Sequence, residues 1–292
     1  MAKDILSVGG FTIIRRIGNG ARSTIYLATD EEDGSVVALK RLIYERPEDH
    51  RVFEQTEHEY QVARKVDHPY IRKCYRLQRI RSMFRVRELL LSMEHFDGKT
   101  LEESTTLSLG DVLLVFRMVA TGLNALHQQG YVHCDIKPNN ILISRTGTIK
   151  IIDLGQSCAI GTVKTRIQGT PDYIAPEQVR RKTLGPKTDI FNLGATMYWA
   201  LTGKNVPTLI PKKTKDGLTT FTPQKCPAPH ELKRQLPIGI SKLVMDCTKE
   251  DPTERPPGMG EVISRLDLII HSIFGDKIKA NRNASNNHRS AQ

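Results

Sequence analysis

Apolar and polar positions alternate with a period of two along residues 11–43. The segments "FTIIRRI", "STIYLAT" and "SVVALKRL" read as three short strands. A glycine-rich turn separates the first two, and an acidic, Gly-containing turn at 30–34 precedes the third. Over 50–66 the spacing becomes helical, with Val52, Thr56, Glu59, Ala63 and Val66 on one stripe. Glu59 sits in the middle of that stripe. A carboxylate on an inward face needs a cation, because an unpaired buried charge is costly. Glu57 lies roughly 200° away around the helix and is the poorer candidate. Strand-like segments follow at 74–80 and 85–93, and the pattern changes around 96–99. Beyond that point the chain reads as mainly helical. Ser108 and Asp111 make a capping-box start to a helix reaching about 127. Its run "VLLVFRMVA" is apolar nearly all round, which predicts a buried helix. Further helices are expected at 187–202 and 257–273, and a Pro-, Lys- and Thr-rich loop at 204–237. The polar segment from 276, "DKIKANRNASNNHRSAQ", is expected to be a disordered tail. The pattern therefore predicts an α+β chain with a β-rich part over 1–96 and a mainly helical part over 97–275.

Composition adds bounds. The 292 residues suffice for one large domain or two lobes, and 39% hydrophobic with 26% charged residues suits a globular protein. The longest apolar patches, at 89–93 and 266–274, are short beside the ~18 residues of a membrane span, so no transmembrane segment is expected. The opening "MAKDILSVGG" has no secretory apolar region, and the expected location is cytoplasmic. Five cysteines at scattered spacings, without a CxxC or Cys/His pattern, read as reduced thiols. Net charge is +11. Its densest cluster is Arg72, Lys73, Arg76, Arg79, Arg81, Arg85 and Arg87. The favoured reading is a set of solvated faces, and the alternative is attraction to acidic protein segments or anionic surfaces. With 6% aromatic residues that do not interleave with the arginines, no nucleic acid binding is expected.

The candidate chemistry lies in a few short stretches. "IGNGARSTI" places Gly18 and Gly20 between two strands, where backbone N–H groups can approach phosphates closely. A dinucleotide-binding turn would open a helix instead. In "VVALK", Ala38 and Lys40 share one strand face, so a small residue leaves room for a flat base while the lysine reaches a phosphate. Lys40 is also the natural partner for Glu59. In "YVHCDIKPNN", Asp135, Lys137 and Asn140 are spaced as if around one reacting group.

With "GNGARS", "VALK", "HCDIKPNN", "DLG" and "APE" standing in this order, the chain resembles the eukaryotic-like (Hanks-type) serine/threonine protein kinases over about 11–273. The resemblance implies a bilobal fold, with a small β-rich N-lobe carrying one main helix and a larger, mainly helical C-lobe. It implies ATP with Mg²⁺, or Mn²⁺, as cofactors, and protein substrates, and the positive clusters point to acidic sequences among those. Lys40, fixed by Glu59, would hold the α- and β-phosphates beneath the loop of Gly18, Gly20 and Ser23. Asp135 would accept the hydroxyl proton, Lys137 would neutralise the moving phosphoryl group, and Asn140 and Asp153 would bind the metal. Thr170 would bond Asp135 and Lys137, which favours Ser/Thr over Tyr substrates. Ile17, Ile25 and Ala38 would roof the adenine and Leu142 would floor it. Met93 would be the gatekeeper, and Glu94 C=O and Phe96 N–H would meet the adenine edge. Asp189 would anchor the catalytic loop, and Arg255 would pair with Glu177.

Three positions depart from that pattern: Ser23 for a glycine, Leu154 for a phenylalanine, and Cys134 for the arginine that often precedes the catalytic aspartate. Such an arginine orders a phosphorylated activation segment. Cys134 cannot, so activity is expected not to depend strictly on that phosphorylation. Cys134 reads either as a small half-buried hydrophobe, the favoured view, or as a redox-sensitive thiol. A non-catalytic nucleotide-binding relative would lack at least one of Lys40, Asp135, Asn140 and Asp153, and all four are present.

Overall fold

A computed structural model describes residues 7–20, 22–82, 85–104, 107–209 and 226–289. The first part is a six-stranded antiparallel sheet built from β1 (Ser7–Val8), β2 (Phe11–Gly20), β3 (Ser23–Asp30), β4 (Val36–Ile43), β5 (Cys74–Ser82) and β6 (Arg85–Glu94). The strand order is β1-β2-β3-β4-β6-β5. Alternation along β4 divides its residues between two faces, as strand geometry requires. Val37 and Leu39 pack with Phe11, Ala28 and Leu90 on one side. Ala38 packs with Leu91 and Met93 on the other, the side that also carries Lys40. Helix α1 (Asp49–Ala63) docks through Phe53 onto Leu42 and Leu89. The helix ends before Val66, which is nevertheless buried in the core of the second part.

The second part is mainly helical. A three-stranded sheet of β7 (Gly98–Thr100), β9 (Ile141–Ser144) and β10 (Ile149–Ile151) lies at its junction with the first. A short ladder joins β8 (Tyr131–Val132) to β11 (Cys158–Ala159). The helices are α2 (Leu109–Gln128), α3 (Pro176–Val179), α4 (Pro186–Thr202), α5 (Pro229–Leu232), α6 (Ile238–Cys247) and α7 (Met259–Arg289). Ser108 caps α2 by accepting from Asp111 N at 3.2 Å, while Asp111 Oδ2 accepts from Ser108 N at 3.1 Å. Such a box is worth about 1 kcal/mol. Val112, Leu113, Val115, Phe116, Val119 and Leu123 then bury against α4, α7 and the small strands. Each large apolar side chain so buried contributes roughly 1.5–3 kcal/mol.

Two details need correction: the place of the longest apolar stretch and the tail. Among the described residues, α2 is long and apolar enough to cross a membrane by length and composition. Asp111 and Arg117 interrupt its apolar run without lowering its average much. In the fold it serves as a core helix, and its Arg117 makes an ion pair with Asp267 of α7. The second correction concerns the tail: α7 does not stop near 273 but continues through 276 to Arg289. Its polarity suggested disorder, yet no Pro or Gly follows Gly275 to break the helix. Part of the loop expected at 204–237 lies outside the described residues, at 210–225, and its end forms α5 and the turn into α6.

Candidate active site

Lys40 and Glu59 meet across the first part, with Nζ 2.7 Å from Oε2. The sheet sets one end: the β3–β4 and β4–β6 registers pair Lys40 with Ile25 and with Leu91. Helix α1 sets the other, turning Glu59 inward to near-complete burial. Glu57 instead binds Arg79 at 2.7 Å. Burial alone would lower the pKa of Lys40, but the carboxylates of Glu59 and Asp153 more than offset it and the value is raised. Asp153 shows the converse. Burial would raise its pKa, and the positive charges of Lys40 and Lys137 hold it below the ordinary value. Its backbone is left-handed, with φ 64°, and its side chain accepts from Gly155 N at 3.4 Å.

The loop 131–140 supplies the other end. Lys137 Nζ donates to Asp135 Oδ2 at 2.9 Å and to Thr170 Oγ1 at 2.8 Å. Thr170 closes the triangle through its N–H and hydroxyl, which donate to Asp135 Oδ1 at 3.0 and 2.8 Å. Asn140 Nδ2 donates to the Asp135 carbonyl at 2.8 Å, which leaves its amide oxygen on the other side of the group.

A buried scaffold holds this loop. Asp189, at the start of α4, accepts from His133 N and Cys134 N, each at 2.8 Å, and from His127 Nε2 at 2.7 Å. Cys134 adopts φ 66°, a left-handed conformation uncommon outside glycine, which turns its N–H toward that carboxylate. Gln178 Nε2 donates to the Cys134 carbonyl at 2.8 Å. Further out, Arg255 grips Glu177 through two bonds of 2.8 and 2.9 Å.

The remaining residues expected at the site fall into groups. Ala38, Met93 and Ile25 form one apolar cluster, with Ala38 directly opposite Met93 in the ladder. Leu142 stands on β9 opposite Lys150. Ile17 is exposed and lies outside that cluster. The Glu94 carboxylate holds Lys150 Nζ at 2.7 Å, and Phe96 is half-buried just beyond β6. Gly18 and Gly20 face Ile25 and Ser23 across the hairpin, and Ala21 lies outside the described residues. A Cβ on Gly18 would come no closer than 3.8 Å to any atom, whereas one on Gly20 would meet Ser23 Oγ at 2.5 Å. Leu154 is buried in the core of the second part.

Several participants carry no signal in the sequence. Arg72 Nη2 lies 3.9 Å from Glu59 Oε1, as a second cation beside the buried carboxylate. Other members of the arginine-rich cluster are also paired: Lys73 with Asp67, Arg76 with Asp30 and Glu32, and Arg79 with Glu57. His58 Nε2 donates to Ser157 O at 2.8 Å and so ties α1 to the segment after Asp153. Arg22 joins the glycine-rich turn to Asp49 at the start of α1, 2.5 Å apart. Cys134 is fully buried, not half-buried, and its Sγ lies 3.7 Å from that of Cys158.

Comparison with known proteins bears on the whole arrangement. The protein kinase domain family matches residues 11–265. The chain is 29% identical over 258 residues to the serine/threonine-protein kinase PrkC of Bacillus subtilis, covering 85% of this chain and 38% of that protein. It is 33% identical over 247 residues to the serine/threonine-protein kinase STE20 of Candida glabrata, covering 82% of this chain and 26% of that one. With the serine/threonine-protein kinase PknD of Chlamydia abortus it shares 28% identity over 280 residues, or 84% of this chain and 29% of the relative. The chain thus spans well under half the length of these curated relatives. A curled sheet carrying a Lys–Glu pair, a helical part carrying the Asp–Lys–Thr triangle, and a match along most of the chain agree: the chain belongs to the protein kinase family, as a catalytic domain of the serine/threonine type.

Proposed function

We propose that this domain transfers the γ-phosphate of ATP to serine and threonine hydroxyls of proteins, its own included. The observation that carries the reading is the triangle of Asp135, Lys137 and Thr170. It holds a carboxylate that can orient and deprotonate a hydroxyl beside a cation that can neutralise a moving phosphoryl group. Phosphoryl transfer depends mainly on such positioning and charge neutralisation. Lys40, held by Glu59, is the residue for the α- and β-phosphates. Gly18 supports a phosphate loop, because packing within the protein leaves room for a side chain there while close backbone approach to a phosphate would not. Ala38, Ile25, Met93 and Leu142 suit the faces of a purine, with Ile17 closing the rim.

The donor set also fits a divalent cation. Asn140 and Asp153 offer hard oxygens, and no cluster of three or more His, Cys, Asp or Glu is poised for a metal among the described residues. Two protein ligands match Mg²⁺, which is usually held jointly with substrate phosphates. Bound there, Mg²⁺ or Mn²⁺ would neutralise phosphate charge. The role of the chain is to keep Asp153 ionised through Lys40 and Lys137 and to fix Asn140 on the Asp135 carbonyl.

Two finer features belong to the same proposal. Activity does not depend strictly on phosphorylation of the segment between Asp153 and Glu177. In support, that segment bonds to its own chain: Leu184 N donates to Thr162 O and Gly161 N to Leu184 O, each at 2.9 Å, and Val163 bridges Thr183. Lys164 donates to the carbonyl of Gln156, and Arg181 to that of Thr165. Acidic substrate sequences suit the exposed Arg166, Arg181 and Lys182 alongside.

The test is transfer of radiolabelled γ-phosphate from ATP–Mg²⁺ to generic proteins and to the chain itself, with Asp135→Asn as control. Label on serine or threonine that falls by about 10²- to 10⁴-fold in the variant is expected. ATP binding without any transfer, with and without added cell extract, would overturn the reading.

A further inference from the structure

Cys134 and Cys158 come from two elements that the transfer reaction uses differently. Cys134 precedes Asp135 in the catalytic loop, and Cys158 sits on β11 at the start of the segment leading to Thr170. The β8–β11 ladder pairs Cys158 with Val132 and brings the two sulfurs to 3.7 Å, within one buried cluster with Val132 and Leu184. Cys158 keeps 8% of its surface exposed while Cys134 is sealed. The sulfur–sulfur hydrogen bond, together with the Lys164 ammonium, holds Cys158 below the ordinary thiol pKa against the effect of burial. Cys134 moves the opposite way, through that shared hydrogen, burial and the nearby Asp189 carboxylate. Cys74 and Cys247 have no thiol partner among the described residues, and burial pushes each up to about 12. One thiol of this pair thus keeps a narrow opening to solvent, with a second held in contact behind it. That is the arrangement of an attacking and a resolving cysteine.

We propose that Cys134 and Cys158 are a reversible oxidation site that closes to a disulfide under peroxide and lowers phosphate transfer. The last clause rests on the kinase reading, and the disulfide does not. The Cys158 thiolate attacks one peroxide oxygen, the O–O bond breaks, and hydroxide leaves to take up a proton as water. Cys134 Sγ then attacks the resulting sulfenyl sulfur. The S–O bond breaks, and the departing hydroxide takes the Cys134 proton as a second water. Two thiols lose two hydrogens and two electrons, and one peroxide becomes two waters.

Bonding requires the sulfurs to close from 3.7 Å to about 2.05 Å, a travel of roughly 1.7 Å. The Cys134 backbone is pinned on both sides, by Asp189 at its N–H and Gln178 at its carbonyl. The movement therefore falls on Cys158 and the stretch between Asp153 and Thr170. A displacement of 1 Å at a reacting centre can cost about 10²-fold, so a fall of roughly tenfold or more is expected.

The experiment treats the whole chain with graded hydrogen peroxide and maps peptides without reduction. A cross-linked pair containing residues 134 and 158, two hydrogens lighter than its free peptides, is expected. Transfer should fall in step and return with dithiothreitol. Cys158→Ala, or Cys158→Ser should the first fold poorly, keeps its untreated activity and loses both the cross-link and the peroxide response. Mass mapping reads the bond whether or not the chain transfers phosphate, so failure of the kinase reading would leave that result standing. Both thiols remaining open to alkylation under denaturing conditions after peroxide would overturn the proposal. So would a cross-link without loss of transfer, or equal inhibition of Cys158→Ala.

Discussion

Two buried ion pairs, one in each part of the molecule, serve opposite ends. Arg255 spends every donor it has. Its Nε donates to Lys249 O, its Nη1 to Glu177 and Lys187 O, and its Nη2 to Glu177 and Glu250 O, all between 2.8 and 3.0 Å. Its guanidinium also lies 5.0 Å from the centre of the Phe191 ring. Nothing is left over for a ligand. Lys40 has three donors and, among the described residues, one hydrogen-bond partner, Glu59. The rest of its charge is felt by Asp153. Saturation suits a brace, and a held but unsaturated cation suits the binding role proposed for Lys40. Both carboxylates are deeply buried, so their burial alone does not separate the two roles.

Breaking the brace should have the largest effect. Arg255→Met leaves Glu177 charged and buried without a partner, and removing one member of a buried pair costs about 3–5 kcal/mol. Urea or thermal melting should show that loss. Arg255→Lys should recover little of it, because a point charge cannot reproduce the two-pronged grip or reach three carbonyls besides. A loss below about 1 kcal/mol in Arg255→Met would erase the distinction, since surface-like pairs behave that way.

Lys40→Met should do the reverse. The fold should hold, because Arg72 remains 3.9 Å from Glu59 and keeps that carboxylate in company. Phosphate transfer should fall by about 10²- to 10³-fold, the usual cost of removing a preorganised charge-stabilising donor. Melting and γ-phosphate transfer measured on one preparation separate the two expectations. A variant that melts as early as Arg255→Met would make Lys40 another brace.

The same contrast explains what could be read from the sequence. The strand faces of β4 and the inward stripe of α1 are local periodicities, so Lys40 and Glu59 could be matched before any coordinates existed. The Ser108–Asp111 box was legible for the same reason, since its partners lie three residues apart. Glu177 and Arg255 were matched through the resemblance to known kinases. Arg72 could not be found: it sits among arginines that look alike in sequence, and only the fold turns it toward Glu59 while Arg79 turns to Glu57. Cys158 was equally silent, because its partner is fixed by a two-residue ladder that no periodicity announces. The length of α7 was missed because polarity without a breaker fits a helix as well as a tail.

Asp189 tests an intermediate case, a buried carboxylate that is saturated yet lies next to the chemistry. Burial would raise its pKa, but the hydrogen bonds from His127 and the Cys134 N–H together lower it below the ordinary carboxylate value. A lowered folded-state pKa means stability that is fully present above the unfolded value, about 3.9, and lost as pH falls through the folded value. Asp189→Asn should therefore cost about 1–3 kcal/mol near neutrality, where acceptors for buried donors are removed. Melting at stepped pH should show the two proteins converging only below about pH 4. Parallel curves down to pH 2.5 would mean that Asp189 holds the loop by shape and not by charge.

The smallest effect should come from the segment between Asp153 and Glu177, and its smallness is the point. In kinases that carry an arginine before the catalytic aspartate, a phosphate on this segment completes an ion pair. Here Cys134 offers no charge, and the segment is held by backbone bonds from Gly161 and Leu184, by Lys164 on Gln156 and by Arg181 on Thr165. None of these needs a phosphate. Thr162→Ala and Thr165→Ala, singly and together, should change transfer by less than about threefold, the scale of one lost exposed hydrogen bond. Thr170 is left out because it belongs to the Asp135 triangle. A fall beyond tenfold in the double variant, with melting and ATP binding unchanged, would mean that a phosphate does bind this segment. Its cation would then be sought among Lys164, Arg166 and Arg181, the basic side chains that the segment and its flank supply in place of the missing arginine.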